Sequence, residues 1–217
     1  MEVEGKINGI HENSSDDEEI TLPSDTLLIL QQFLAEKAAE DENLVEENWQ
    51  LSQFWYDEET ISLMAGACKK IASGNDLKIG LFSCPSLYEE ISRVLPNVWL
   101  FEYDERFLKG DRCIFYDYTR GKDTEVLGNF HEFFDLVIAD PPFLSEECIS
   151  KTSDILMHVL KSSGRIILCS GVIVAQWAEK FLKLQPCKFH PKHKRNLGNE
   201  FASFANFNLD DFIGNTQ

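Results

Sequence analysis

The run Phe134-Asp135-Leu136-Val137-Ile138-Ala139, closed by Asp140-Pro141-Pro142-Phe143, constrains this chain more than any other stretch. Four successive apolar residues, Leu136 to Ala139, suit a central strand of a parallel sheet covered on both faces. Proline has no N–H to give a ladder, so the strand must end there. A carboxylate thus stands at the carboxyl end of a central strand, followed by a stiff turn carrying an aromatic ring. Open α/β sheets bind their ligands at that edge. Taken alone, the tetrapeptide reads equally well as an ordinary strand-ending turn, since Asp-Pro is common in turns.

The flanking sequence alternates strand and helix. Leu77–Phe82 is predicted as a first strand, followed by a helix over Pro85–Leu95. Asn97–Phe101 and Arg112–Tyr116 supply the second and third strands, and Leu136–Ala139 the fourth. A helix over Ser145–Lys161, a fifth strand over Gly164–Cys169 and a helix over Val172–Leu184 follow. Two strand-like stretches, around Cys187–Phe189 and Phe201–Phe207, come last. Such alternation implies an α/β, doubly wound, mostly parallel sheet with a C-terminal antiparallel hairpin.

Ahead of this domain, residues 1–22 are polar and acidic and are predicted to be a disordered tail. Pro23-Ser24 opens an amphipathic helix, and Asp57 is the predicted cap of another that runs to Ser73. Between them lies a block with four aromatics, Trp49, Phe54, Trp55 and Tyr56, which suits a lid over a site as well as packing against the sheet. The expected organisation is the tail (1–22), N-terminal helices with the aromatic block (23–73), and a catalytic domain (74–217) forming one unit with those helices.

Charge is unevenly placed. Of the net −17, residues 1–22 hold seven acids and one lysine, and residues 36–47 hold six acids and one lysine, leaving only −6 elsewhere. The case against a polyanionic partner is therefore modest. Lys192-His193-Lys194-Arg195 is the one basic cluster and reads as a solvated turn, with His190 and His193 at the surface. Six cysteines show no Cys-x-x-Cys and no zinc spacing, so no metal is expected. Met1–Lys6 lacks the pattern of a secretory leader, and no apolar stretch approaches the roughly 18 residues of a membrane span. A reduced, cytoplasmic protein is expected.

Three successive strands end in acids: Glu102 after the second, Asp117 after the third and Asp140 after the fourth. An acid after the second strand is where nucleoside-binding folds hold ribose hydroxyls. Any one of these acids is more often an ordinary solvated residue, but the three together favour a ligand edge. The first strand–helix turn, Ser83-Cys84-Pro85-Ser86, lacks the glycines that let a backbone approach a pyrophosphate. That argues against NAD, FAD and ATP and favours a nucleoside without phosphates.

These residues carry a resemblance. Their order is similar to that of class I methyltransferases using S-adenosyl-L-methionine, and Asp140-Pro141-Pro142-Phe143 to the amino-methylating signature (Asp or Asn)-Pro-Pro-(Tyr or Phe). More narrowly, residues 46–56, Phe101-Glu102-Tyr103-Asp104 with Arg106-Phe107, residues 138–148 and Arg195-Asn196-Leu197 with Asn199-Glu200-Phe201 resemble one family. That family is the translation elongation factor 1-alpha lysine methyltransferases, formerly labelled N6-adenine DNA methyltransferases. The resemblance spans roughly residues 24–207 and implies a Rossmann-like fold. It also implies that Ser83, Cys84 and Pro85 border the methionine part of the cofactor. Glu102 would hold the ribose, and Asp117 with Tyr118 would meet the adenine. Asp140 and the Pro141 carbonyl would accept hydrogen bonds from the target amine, with Phe143 packed against the incoming chain. The implied partner is translation elongation factor 1-alpha, met by a monomer. The alternative reading is an adenine-N6 methyltransferase acting on DNA or RNA, which wants a basic groove and a flipped or single-stranded base.

Overall fold

The structure, a computed structural model, describes Glu47, Leu51, residues 53–195 and residues 197–214. The predicted tail, the helix opened by Pro23-Ser24 and Trp49 lie outside the described residues. In the sheet, β1 (Ile79–Phe82) pairs with β2 (Val98–Glu102) on one side and β4 (Phe134–Ala139) on the other. β3 (Cys113–Phe115) adds to β2, and β5 (Leu160–Gly171) adds to β4, all five running parallel. β7 (Phe201–Ala205) lies antiparallel on β5, with the short β6 (Gln185–Pro186) antiparallel at its outer edge. The chain winds outward in one direction from β1 to β3 and then in the other from β4. The gap between β1 and β4 is thus the topological switch point.

Side-chain alternation assigns the two faces. Ile79, Leu81, Leu100 and Ile138 pack beneath α1 (Glu58–Ala72) and α2 (Pro85–Val94), meeting Met64, Cys68, Leu87 and Ile91. Phe82, Phe101, Val137 and Leu168 face α4 (Glu146–Val159) and α5 (Ala175–Leu182) through Ile155, Leu156 and Ala178. Short helices α3 (Glu125–Gly128) and α6 (Asp210–Ile213) complete the layers. As predicted, Asp57 caps α1, accepting from the Thr60 N–H at 2.8 Å.

Two boundaries depart from the periodicity. The helix predicted to reach Lys161 ends at Val159, because Leu160 pairs with Phe134 and begins a twelve-residue β5. The strand expected around Cys187–Phe189 is shifted to Gln185–Pro186. The N–H groups of Lys188 and Phe189 turn to the Asp210 carboxylate at 3.0–3.1 Å, which removes them from the ladder.

Gly80 is a glycine that the aromatic core requires. A β-carbon there would stand 2.9 Å from Phe82 Cε2 and 3.1 Å from Phe134 Cδ2. Phe82 is stacked on Phe101 at 4.4 Å, and Phe134 meets Phe101 edge-on at 5.8 Å, so neither ring can withdraw freely. Gly80→Ala is expected to lower stability by about 1–3 kcal/mol in urea denaturation.

Candidate active site

The parallel register brings three strand ends level. Phe82 pairs with Phe101 and with Ala139, so Ser83, Glu102 and Asp140 emerge side by side. Each exit is pinned one step beyond its ladder. Ser83 N–H donates to the Phe101 carbonyl at 2.9 Å, Asp140 N–H to Phe82 at 3.0 Å and Tyr116 N–H to Glu102 at 2.9 Å. The turn without glycines achieves the usual geometry differently: Ser83 itself takes φ 55°, in the left-handed region. Pro85 then opens α2 at a position where its missing N–H goes unneeded. The Cys84 thiol does not cap this helix; it turns inward, 3.6 Å from the Ile138 carbonyl.

A cavity of about 350 Å³ follows this edge. Ser83, Cys84 and Pro85 line one end, Glu102 the middle, and Asp117 with Tyr118 a further wall. Asp140 and Phe143 close it. A second cavity of about 400 Å³ lies against Pro141, Leu144, His193 and Phe201. The two share Phe54, Asp140, Pro142 and Phe143, so they meet at the tetrapeptide. Every residue predicted for the site lines one cavity or the other.

The electrostatics differ from acid to acid. Glu102 is only 4% exposed and accepts from the Asp104 N–H at 3.0 Å. Burial pushes its carboxyl above the usual range, although the backbone donors at Asp104 and Tyr103 oppose this. Asp117 spends one oxygen on its own turn, accepting from the Thr119 N–H at 2.9 Å and hydroxyl at 2.7 Å. Asp140 is displaced furthest. Burial raises it to about 7, the Glu102 charge adds to the rise, and a hydrogen bond from Tyr56 opposes it. Its folded pKa thus exceeds the ordinary carboxylate value, so the native state holds this proton more tightly than the unfolded chain does. The associated stability is present at low pH and fades as pH climbs toward and through 7. Asp140→Asn removes that dependence. Its stability gain over wild type is expected to be greater at pH 8 than at pH 5 by roughly 2 kcal/mol in paired urea titrations.

The sequence alone assigned no individual site role to Tyr56, Gln53, Asp104, Arg106 or His193. The Tyr56 hydroxyl donates to Asp140 Oδ2 at 2.5 Å. Gln53 Nε2 donates to Asp104 Oδ2 at 3.0 Å, and Arg106 closes the triangle through Asp104 at 2.6 Å and Gln53 Oε1 at 3.1 Å. His193 is half-buried rather than at the surface, its ring 4.9 Å from that of Tyr56. The presumed solvated turn is in fact stitched to the aromatic block. Lys194 N–H donates to the Trp55 carbonyl, Asp57 N–H to the Lys192 carbonyl, and Lys192 N–H to the Thr60 hydroxyl. The aromatic block was a signal for the first two, but nothing in its spacing points to a segment more than 130 residues away. Phe54 and Trp55 line the first cavity, and Trp55 meets Phe107 edge-on at 5.5 Å, so this block both packs and walls the site.

A seven-stranded sheet in the order β3-β2-β1-β4-β5-β7-β6, parallel except for its last hairpin, is the class I methyltransferase fold. The structure of PH1948 from Pyrococcus horikoshii shares that fold, with a TM-score of 0.53 at 14% identity over 79% of this chain and 94% of that one. The family described as "Probable N6-adenine methyltransferase" matches residues 47–209, and the chain belongs to it. Its curated relatives carry a different activity in their names. The chain is 42% identical to Protein-lysine N-methyltransferase CG9154 of Drosophila melanogaster, over 92% of this chain and 99% of the relative. It is 40% identical to EEF1A lysine methyltransferase 1 of Homo sapiens, over 88% and 94%. It is 38% identical to Protein-lysine N-methyltransferase DDB_G0272708 of Dictyostelium discoideum, over 90% and 94%.

Proposed function

We propose that this protein transfers a methyl group from S-adenosyl-L-methionine to a lysine of translation elongation factor 1-alpha. The observation that carries the reading is the meeting of two cavities at Asp140-Pro141-Pro142-Phe143, one on the nucleoside-binding edge and one opening beside it. The names of the near-full-length relatives supply the substrate. The first cavity fits the cofactor: Glu102 is a buried carboxylate placed for ribose hydroxyls, Tyr118 offers an aromatic wall, and the Ser83–Pro85 turn borders the methionine end. When bound, S-adenosyl-L-methionine supplies an electrophilic methyl on a cationic sulfur.

The chain's own contribution is to receive, orient and dry the amine. A lysine arrives protonated, and losing that proton near pH 7 costs roughly 4–5 kcal/mol. Phe143, Leu144 and Phe201 line the second cavity and disfavour the charged form by desolvation. Asp140 and the Pro141 carbonyl accept from the neutral amine and aim its lone pair. Positioning of this kind supplies most of the catalysis in a displacement that needs little acid–base chemistry.

The basic cluster does not favour nucleic acid. Lys192 Nζ lies 3.2 Å from Glu59 and Arg195 Nε lies 3.4 Å from Glu47, so both charges are already paired within the fold. No helix among the described residues is long and apolar enough to cross a membrane. A monomeric cytoplasmic enzyme, with residues 74–217 as its methyltransferase domain, completes the proposal. The test is incubation with labelled cofactor and, in parallel, elongation factor 1-alpha, duplex DNA and single-stranded RNA. Label on one or more lysines of the factor, located by mass spectrometry, is the expected result; label on adenine would overturn it.

A further inference from the structure

Tyr56 belongs to no strand or helix of the sheet. It enters the site on the segment before α1, where a single antiparallel bridge to His193 fixes its backbone. The ring is 1% exposed and lies at 4.9 Å from the His193 ring, which itself meets Phe201 at 4.6 Å. The hydroxyl reaches 84 residues along the chain to Asp140 Oδ2 at 2.5 Å. Burial and the neighbouring Asp140 charge push the phenol well above its ordinary value, so it stays protonated and keeps a proton to donate here.

We propose that Tyr56 is a positioning residue for methyl transfer: by donating to Asp140 Oδ2 it fixes the carboxylate plane and presents Oδ1 to the target amine. This rests on the methyl-transfer reading above. The arrangement answers a geometric need. A carboxylate on a strand end rotates about χ2, and a broad torsion of that kind does not by itself hold an acceptor in line with a reacting atom. One oxygen pinned by a buried phenol held against the His193 ring removes that freedom. The pin also acts on charge. The groups around the Asp140 carboxyl are Tyr56 from the segment before α1, Cys84 from the first turn, Glu102 at the end of β2, Cys169 on β5 and His193 from the loop before β7. Burial lifts both thiols above their ordinary values, and His193 is held below its own by burial, so none of these supplies a cation at neutral pH. Glu102 opposes ionisation of Asp140, so among the described residues the Tyr56 hydroxyl is the group that favours it. No proton leaves the phenol at any stage; it anchors, and the lysine ammonium gives its proton to bulk water before the neutral amine meets Asp140.

The test uses Tyr56→Phe, which keeps the ring and its contact with His193, in the whole chain. Two measurements separate this proposal from the reading beneath it. In the first, the Asp140 carboxyl is titrated by carbon-13 NMR without substrate, with Asp140→Asn to assign the signal. Its midpoint is expected to rise in Y56F, since the lost hydrogen bond favoured the ionised form. In the second, turnover on elongation factor 1-alpha is followed from pH 6.5 to 9. At pH 7, kcat is expected to fall about 10- to 100-fold while the cofactor Kd by calorimetry is unchanged, with part of the loss recovered by pH 9. An Asp140 midpoint unchanged or lowered, or a Y56F kcat equal to wild type at pH 7, overturns the proposal. Absence of transfer by the wild-type protein would instead overturn the lysine reading, and the NMR titration would still judge Tyr56.

Discussion

Asp140→Ala is expected to lower kcat for lysine methylation by about 10²–10³-fold at pH 7.5, with cofactor Kd little changed. Asp140 is common to both cavities and its carboxylate is already oriented by Tyr56, so truncation removes the acceptor that aims the amine. It also leaves the Tyr56 hydroxyl without its partner in a buried position, which adds a stability penalty of about 1–3 kcal/mol. Asp140→Asn separates the two roles of the residue. The amide keeps an acceptor oxygen but cannot titrate, so the variant is expected to retain more activity than Ala and to lose the rising limb near pH 7 that the raised Asp140 carboxyl imposes. Steady-state kinetics of both variants across pH, with cofactor affinity measured separately, check this. Equal and small losses for Ala and Asn would sink it.

Glu102→Ala is expected to weaken cofactor binding by about 10²–10⁴-fold, because hydrogen bonds to a charged acceptor are worth about 1.5–3 kcal/mol each and the ribose would lose two. Calorimetric titration with S-adenosyl-L-methionine reads this directly, and at saturating cofactor kcat should change far less. The substitution has a second consequence with a fixed sign. Glu102 raises the Asp140 carboxyl, so its removal should bring the Asp140 midpoint down, opposite to the effect of Tyr56→Phe. A variant that leaves affinity within a few-fold of wild type would remove Glu102 from the ribose role.

Much of the fold was legible because each signal was local. The apolar run Leu136–Ala139 reads as a doubly covered strand and lies at the switch point, fully buried. The acids after successive strands are level because parallel pairing leaves little choice of register once both faces are apolar. Even the turn without glycines was legible as a departure, although its resolution, a serine at φ 55°, was not. Boundaries failed where distant partners decided them. Leu160 and Lys161 continue a helical pattern, yet Leu160 pairs with Phe134 across the sheet. His193 was misread for the same reason. A histidine among lysines and arginine looks solvated until the chain near Tyr56 is laid against it.

By itself, then, the sequence determined what periodicity, composition and short spacing can encode. These are a doubly wound sheet, an acid at the end of each of three strands and a stiff Pro-Pro turn after the fourth. Tertiary structure alone decided how the site is enclosed. The segment from Gln53 to Asp57 closes against Asp104, Asp140 and the Lys192–Arg195 loop through hydrogen bonds that span 51, 84 and more than 130 residues. Such contacts leave no period in a chain, because their geometry exists only after the sheet has brought the partners together.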